Sequence, residues 1–442
     1  MLWLSLLAGC VTPKRPPPDG IKHDRAVETG ASDDPAYDVE VVESARGWPS
    51  ELSAVRDLAR TVRARIMDLE NPCLEGDGGG QCYRRALDRL FLKLDGLSEN
   101  AKSTVRILHL GDSHIAADYI TRTVRERLQE RFGGKSRGYV HSDQRNGFGG
   151  RRLDRTPGWR RTRMVDEGQE RGAFGFSGVA LESLKSGSKI DYLIQDEDRV
   201  VVYYEASRSG GSFDVLLDGA SLGRVEATET KPRTEAKAFS FPKKEGERKL
   251  TLVSLSVGVR IYGLSLERAG GGLLYDSIGP VGADANVYSL ADESSMKSHI
   301  ESVRPDLVVV MLGGNDALKV RQGKATLADV EASFDKLLDR VARAAPDADC
   351  MLWSPMDAAS RNGEAVESKE GIGEVRAVQR KVASRRGCAF WDMYEAMGGH
   401  GSASRWLAAD ILMQDLVHPK RAGGELLGHL FAMAFLRAYD SN

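Results

Sequence analysis

The chain of 442 residues has no excess of basic charge, since 62 Lys and Arg stand against 64 Asp and Glu. This balance argues against nucleic acid as a partner, because binding to phosphates needs clustered positive charge. No apolar run reaches the roughly 18–20 residues of a membrane span. Prolines are few, and the 47 glycines follow no three-residue period, which excludes a collagen-like chain. The composition, 41% hydrophobic and 29% charged, fits two or three globular domains.

The first ten residues contain a short apolar run that ends in Leu-Leu-Ala-Gly-Cys. This ending resembles the lipobox of bacterial lipoproteins. The resemblance implies that 1–10 is a signal peptide and that Cys10 carries lipid. Val11 follows, where an Asp would imply retention in the inner membrane. We therefore expect an exported lipoprotein on the periplasmic face of the outer membrane. The alternative is a buried N-terminal segment with an incidental cysteine.

Four cysteines remain if Cys10 is lipidated, and they are candidates for two disulfides. Cys73 and Cys82 flank a glycine-rich segment, where a bridge would close a short turn. Cys350 and Cys388 each begin a predicted strand, so a second bridge between them and a pair of buried free thiols are both open. An exported location permits both bridges. No CxxC pair or His/Cys cluster points to structural zinc, and we expect no cofactor.

The order of periodic segments predicts an α/β domain interrupted by a β-rich insert. Short apolar runs alternate with helical patterns after about residue 99 and again after about 270, which indicates a parallel sheet covered by helices. Between them, 138–269 holds period-2 strands and almost no helical pattern, which favours an inserted β-sandwich. The predicted units are a tether 11–50, a helical hairpin 51–98, the α/β domain in two parts, 99–137 and 270–442, and the insert 138–269.

Ser113 follows a predicted strand and precedes a predicted helix, in the sequence Gly-Asp-Ser-His. A serine there lies at the carboxyl edge of a parallel sheet, where open α/β sheets bind ligands. Serine is also a common N-cap, so this motif is weak evidence alone. His114, the next residue, is interpreted as structural rather than catalytic.

Three other segments carry candidate catalytic groups. Asp415 precedes His418 by three residues, a spacing that can place a carboxylate beside an imidazole. Asn315 follows an apolar strand, and its amide is a possible donor to an oxyanion. A glycine after the strand near 273–278 can offer a backbone N–H to the same oxyanion, and both Gly279 and Gly282 are candidates. Taken alone, the Asp-His segment is better explained as a surface loop and the Asn segment as a turn that closes a strand.

Together the four segments resemble the SGNH (GDSL-like) hydrolase family, named for its Ser, Gly, Asn and His. The resemblance covers about 99–137 and 270–442. It is closer to the bacterial peptidoglycan O-acetylesterases of that family, which resemble this chain in the His after the serine, in the Tyr-Asp-Ser-Ile-Gly-Pro-Val-Gly-Ala-Asp block and in Met-Gly-Gly, Trp406 and Asp-x-x-His near the end. Those enzymes carry an inserted β-sandwich similar to a carbohydrate-binding module, at the position of this chain's insert.

The resemblance implies a three-layer, flavodoxin-like parallel sheet and a serine esterase. Ser113 is the implied nucleophile, His418 the base and Asp415 the residue that orients it. The implied oxyanion hole comprises the Ser113 N–H, the Gly282 N–H and the Asn315 side chain. The implied partner is an acetylated glycan, peptidoglycan with O-acetylated N-acetylmuramate, and no nucleic acid.

Two other functions are alternatives to the esterase. The first uses the same triad residues, and the second does not use them. A polysaccharide O-acetyltransferase would share the triad but pass the acyl group to a sugar hydroxyl. A non-catalytic wall-binding lipoprotein would rely on the tether and the insert. Comparing acyl transfer with hydrolysis separates the first from the esterase, and binding without turnover would indicate the second.

Overall fold

A computed structural model describes residues 48–77, 80–100, 102–142, 152–166 and 173–442. The proposed signal peptide, Cys10 and nearly all of the predicted tether lie outside these residues. Within the described ranges, no helix has the length and apolar character needed to cross a membrane.

The chain builds twelve α-helices and twenty strands across its described part. The elements up to the start of the insert are α1 Ser53–Val62, β1 Cys73–Gly76, β2 Cys82–Arg85, α2 Asp88–Glu99, β3 Thr104–Gly111, α3 Ser113–Ala116 and α4 Tyr119–Phe132. The insert contains β4 Gly138–His141, β5 Arg152–Arg155, β6 Trp159–Arg163, β7 Val179–Ser183, β8 Lys189–Ile194, β9 Arg199–Ala206, β10 Ser212–Leu217, β11 Ala220–Glu226, β12 Arg233–Ser240, β13 Arg248–Ser254 and β14 Arg260–Glu267. The remainder consists of β15 Gly272–Ile278, α5 Ala285–Ser289, α6 Glu293–Val303, β16 Leu307–Met311, α7 Gly314–Arg321, α8 Leu327–Ala344, β17 Asp349–Trp353, β18 Ala359–Asn362, β19 Ala365–Ser368, α9 Ile372–Arg386, β20 Ala389–Trp391, α10 Met393–Ala396, α11 Ser402–Ala408 and α12 Arg421–Asp440.

The central sheet has five parallel strands in the order β15-β3-β16-β17-β20. Numbered along the α/β domain, this order is 2-1-3-4-5, the order of flavodoxin-like sheets. The predicted fold class is therefore confirmed. The order in which strands are added to the sheet reverses between β3 and β16, and the crevice at their carboxyl ends is where such sheets bind ligands.

Alternation along β3 divides the core into two layers. Val105 and Ile107 face the layer formed with α2, α4 and α12, whereas Leu108 and Leu110 face the layer formed with α6, α8 and α9. Successive side chains of a strand point to opposite faces, so a strand buried on both faces reads as one apolar run. This explains why the strand was visible in the sequence.

The insert folds as two antiparallel sheets that enclose their own core. One sheet has the order β11-β10-β13-β8-β5, and the other has the order β12-β9-β14-β7-β6 with β4 added beside β14. Alternate residues of both sheets, such as Ile190, Val202, Val215 and Leu252, are buried between them. This arrangement is the predicted β-sandwich.

The segment 51–98 differs from the predicted helical hairpin. Its first helix ends at Val62, because Arg63 adopts a left-handed backbone conformation, with φ of 57°. The chain then extends to Glu70, which bridges Phe390 of the edge strand β20 and so covers the edge of the sheet. A β-hairpin, β1–β2, replaces the start of the expected second helix, which begins only at Asp88.

Both candidate pairs of cysteines form disulfides. Cys73 and Cys82 join β1 to β2, with Cα atoms 5.7 Å apart. Cys350 and Cys388 join the neighbouring strands β17 and β20 at the point where their pairing begins. The second bridge therefore ties the last two strands of the central sheet together.

A buried ionic network connects the sandwich to the central sheet. Arg106 of β3 pairs with Glu267 of β14, and its Nε lies 3.5 Å from Oδ2 of Asp276 of β15. Its guanidinium also donates to the hydroxyl of Tyr203, at 3.4 Å. Burial raises the pKa of Asp276 to about 6, although the charge of Arg106 opposes the rise. Arg106 thus joins two buried carboxylates, of which Glu267 also pairs with Arg199.

Replacing Arg106 with methionine should destabilise the protein by about 3 kcal/mol, because it leaves a buried carboxylate without its cation. The free energy of unfolding in urea measures this loss. Arg160→Met is the matched control, since Arg160 pairs with Glu182 at the surface and should cost less than about 1 kcal/mol. Equal losses in the two variants would contradict a structural role for the buried network.

Candidate active site

The turn after β3 presents Ser113 at the crevice between β3 and β16. β3 ends at Gly111, where a Cβ would come within 2.8 Å of the backbone oxygen of Met311, so the turn passes too close to β16 for a side chain. Asp112 caps the following helix by accepting the N–H of His114 at 3.0 Å. Ser113 is therefore the first helical residue, held between a tight turn and a cap.

A short loop near the C-terminus brings His418 to the same crevice. Leu412 and Pro419 form an isolated bridge across its base, and the N–H of Met413 donates to the oxygen of His418 at 2.8 Å. Leu416 has a left-handed φ of 62° and a side chain only 4% exposed. Its burial anchors the loop while the neighbouring polar residues face outward.

Two hydrogen bonds connect the three predicted triad residues in the order serine, histidine, aspartate. Oγ of Ser113 is 2.7 Å from Nε2 of His418, and Nδ1 of His418 is 2.7 Å from Oδ2 of Asp415. An imidazole held this way donates through Nδ1 to the carboxylate and accepts the serine proton at Nε2. An arrangement of this kind can activate a serine hydroxyl as a nucleophile.

Asp415 is held in its ionised form by the loop itself. Its Oδ1 accepts the backbone N–H groups of Val417 and His418, both at 3.0 Å. Partial burial raises the pKa of Asp415, but these bonds and the bond to the His418 ring outweigh it and lower the pKa below its ordinary value. The carboxylate therefore stays charged at neutral pH and keeps the tautomer of His418 fixed.

Asn315 lies beside Ser113 because β16 and β3 are neighbours in the sheet. Its Nδ2 donates to the oxygen of Ala283 at 2.8 Å and makes a longer, 3.4 Å contact with Oδ2 of Asp112. The first bond ties the loop after β15 to the crevice. The second hydrogen is weakly engaged, so it can turn to a substrate oxygen.

The two candidate glycines occupy different places. Gly279 packs behind the serine turn, where a Cβ would lie 2.1 Å from the backbone oxygen of Asp112, so it is a close-approach glycine. Gly282 is exposed, with φ of 87°, in a turn closed by the N–H of Ala283 and the oxygen of Pro280 at 3.0 Å. Such a turn favours glycine at that position.

A small cavity of about 100 Å³ contains Ser113, His418 and Asn315. Asp112, His114, Gly314 and several apolar side chains also belong to its described lining. Neither Gly279 nor Gly282 does. Two cationic residues, Arg321 and Lys369, also line it. The structure thus brings the serine, histidine and asparagine into one cavity and places the glycine loop beside it, attached through Asn315.

His114, which the sequence indicated as a structural residue without identifying its partners, connects the serine turn to the histidine loop. Its Nδ1 is 2.8 Å from Oδ1 of Asp112, and its Nε2 is 3.2 Å from the oxygen of Val417. Both partners only accept, so both nitrogens must donate, and only the imidazolium does so. Burial lowers the pKa of His114, but the charge of Asp112 and these bonds raise it above its ordinary value.

The Met-Gly-Gly segment and Trp406 are hydrogen-bonded to each other and to the start of the histidine loop. Trp406 is fully buried and donates its Nε1 to the oxygen of Met397 at 2.9 Å. Its own backbone oxygen accepts the N–H of Ile411, just before the histidine loop. These residues fix the base of the loop and do not line the cavity.

Comparison with known proteins finds a family model that matches part of the chain. Residues 275–426 match the model of the GDSL-like lipase/acylhydrolase family. No curated protein matches the chain in sequence. A solved structure of a peptidoglycan O-acetylesterase is 22% identical, with a TM-score of 0.68, and the alignment covers 81% of this chain and 98% of that one. This likeness shows a fold shared over most of the chain.

Other solved structures match more weakly. A family two carbohydrate esterase from Clostridium thermocellum, in complex with cellohexaose, is 16% identical, with a TM-score of 0.28 over 64% of this chain and 99% of that one. A salicylyl-acyltransferase from a tetracycline biosynthetic pathway is 14% identical, with a TM-score of 0.28 over 64% and 99%. Scores this low carry no argument about function.

Replacing His114 with glutamine should make stability less dependent on pH. A group whose folded pKa is raised contributes stability that is complete below its unfolded pKa, about 6.5, and is lost as pH rises through the folded pKa. We expect wild type to exceed the variant by about 1–2 kcal/mol near pH 6 and by less near pH 9, as thermal unfolding would show.

The exposed His400 provides the control for this comparison. His400→Gln should keep the pH dependence of wild type. If the stability of His114→Gln differs from that of wild type by the same amount at pH 6 and at pH 9, the imidazolium assignment is contradicted.

Proposed function

We propose that the α/β domain of this chain is an SGNH, or GDSL-like, hydrolase domain, and that the protein is a carbohydrate esterase that removes O-acetyl groups from peptidoglycan, at O-acetylated N-acetylmuramate. The observation that carries the proposal is the hydrogen-bonded series from Ser113 through His418 to Asp415, with 2.7 Å at each step. The fold shared with a peptidoglycan O-acetylesterase supports the choice of substrate.

The proposed reaction begins when Oγ of Ser113 attacks the acetyl carbonyl carbon while its proton passes to Nε2 of His418. The carbonyl electrons move to oxygen and form a tetrahedral oxyanion. As the oxyanion collapses, the bond to the sugar oxygen breaks, and His418 returns the proton to that oxygen. Water then attacks the acetyl-serine with His418 again as base, and acetate leaves.

In this proposal the oxyanion is stabilised by three donors: the N–H of Ser113, the N–H of Gly282 and the amide of Asn315. The weakly engaged second hydrogen of Asn315 supports its part, because the 3.4 Å contact with Asp112 costs little to give up. Removing one such donor costs roughly 2.7–4 kcal/mol in measured cases. The binding of Ala283 by Asn315 would hold the Gly282 turn near the reacting carbon.

The size of the cavity supports a short acyl group. About 100 Å³ is well below the roughly 300–1,000 Å³ of pockets that enclose whole ligands. A short acyl group therefore fits inside, and the sugar would remain at the open surface of the crevice.

We also propose that Cys10 carries a lipid that anchors the protein at the periplasmic face of the outer membrane. The two disulfides support an exported location, because such bonds persist in oxidising compartments. An anchor followed by a tether would allow the esterase to reach the wall.

Ser113→Ala should abolish the release of acetate from O-acetylated cell wall, with a loss of about 10⁴-fold or more in kcat. Ser98→Ala, at an exposed serine in α2, is the matched control and should retain full activity. Acetate release by Ser113→Ala at the wild-type rate would refute the nucleophile. Acetyl transfer to added glycan, with no free acetate from wild type, would instead identify an acyltransferase.

Cys10→Ala should move the protein from the membrane fraction to the soluble fraction of the producing cell. Fractionation followed by immunoblotting measures this change, and mass spectrometry of the wild-type N-terminus should find the lipid on Cys10. Cys10→Ala remaining with the membranes, with no lipid on wild type, would rule out the anchor.

A further inference from the structure

Two cationic side chains, Arg321 and Lys369, line the cavity of Ser113 and His418. Neither side chain forms a hydrogen bond or ion pair with another residue in the described ranges. Nearby cations behave differently: Lys319, on the same helix as Arg321, pairs with Asp284. Arg321 is exposed and Lys369 is half-buried, so both charges are accessible from the open side of the cavity.

The two cations come from different elements, and each element is bonded to the catalytic machinery. Arg321 ends α7, the helix that begins beside Asn315, and it shares a helix face with Gly314, Ala317 and Leu318, which also line the cavity. Helical spacing therefore aims Arg321 at the cavity, at a distance of about 9 Å along the axis from Asn315.

Lys369 directly follows the β18–β19 hairpin. Its N–H donates to the oxygen of Ala358 at 2.7 Å, and the N–H of Ala359 donates to the oxygen of Leu416 at 2.8 Å. The hairpin is thus hydrogen-bonded to the loop that carries His418. Lys369 is half-buried, so its ammonium has fewer waters than a free surface lysine.

The carboxylates near the site are already engaged by other groups. Asp112, the carboxylate of the described lining, is bonded to His114, and Asp415 is bonded to His418. Burial and the charge of Arg321 lower the pKa of Lys369, although Asp415 acts in the opposite direction. A cation at the end of α7 also favours the helix dipole, but the dipole gives no reason for Lys369.

We propose that Arg321 and Lys369 form a subsite for a carboxylate of the acetylated glycan. The inference rests on the proposed esterase function and adds to it the chemical class of substrate: an acetylated sugar whose strand or substituent carries a carboxylate close to the ester. A guanidinium binds a carboxylate through two parallel hydrogen bonds, and an ammonium adds a point charge. Neutral acetylated glycans would lose this contact.

Peptidoglycan has two possible sources of such a carboxylate. One is the lactyl group of muramic acid, which is free only where no peptide is attached. The other is a carboxylate of the stem peptide. The two sources share the same chemistry, and enzymatic removal of the peptides by an amidase distinguishes them, because it frees the lactyl group and removes the others.

The test compares kcat/KM for acetylated peptidoglycan fragments, with peptides attached or removed, and for acetylated xylan, which is neutral. Wild type should prefer a carboxylated substrate, and the preference should fall as salt is added. Arg321→Gln and Lys369→Gln should each lower the preference by about fivefold, and the double variant by about 20-fold. The peptide-bearing and amidase-treated arms then identify the source of the carboxylate.

Lys324→Gln is the matched control, because Lys324 lies three residues beyond Arg321 and lines a different cavity. It should keep the wild-type preference. Two results would overturn the subsite and leave the esterase intact. One is equal activity of wild type on neutral and carboxylated substrates. The other is a preference in Arg321→Gln and Lys369→Gln that is no lower than in Lys324→Gln. Failure of wild type to hydrolyse any of these acetyl esters would instead overturn the proposed function.

Discussion

The hydrogen bond between Ser113 and His418 joins residues that are 305 positions apart, and the α/β domain is arranged around it. One end is fixed by the turn after β3, at the point where the order of the sheet reverses. The other end is fixed by a loop whose leucine is buried and whose base rests on Trp406. His114 spans the two ends, so the distance between serine and histidine depends on a second, independent contact.

The same constraint explains why particular glycines and buried polar groups lie where they do. Gly111 and Gly279 allow the serine turn to pass between β16 and the loop after β15 without a side chain in the way. Asp112 serves at once as helix cap and as partner of His114, while its second oxygen lies near Asn315. A change at one of these positions would therefore affect several catalytic groups together.

Much of this architecture could be predicted from the sequence, because strands buried on both faces and long amphipathic helices have clear patterns. The helical patterns expected after about residue 270 correspond to helices such as α8 and α9. The hairpins β1–β2 and β18–β19 were missed, since each strand has four residues and little burial to impose a pattern.

The site was predicted less evenly than the fold. Ser113, Asn315, Asp415 and His418 stand in recognisable motifs, so a resemblance could identify them. Asp112 could have been found as a helix cap from its position before Ser113. The roles of Val417, Arg321 and Lys369 depend on which loops meet in space, and no local pattern records that. The glycine of the proposed oxyanion hole also needs a structure, since Gly279 and Gly282 follow the same strand.

The central claim is that Ser113 is a nucleophile activated by His418. Its most direct test is labelling with an active-site-directed fluorophosphonate, followed by digestion and mass spectrometry of the peptides. The account predicts a single modified serine, Ser113, with labelling slowed strongly in His418→Ala. Labelling at other serines only, or labelling of Ser113 at the same rate without His418, would contradict it.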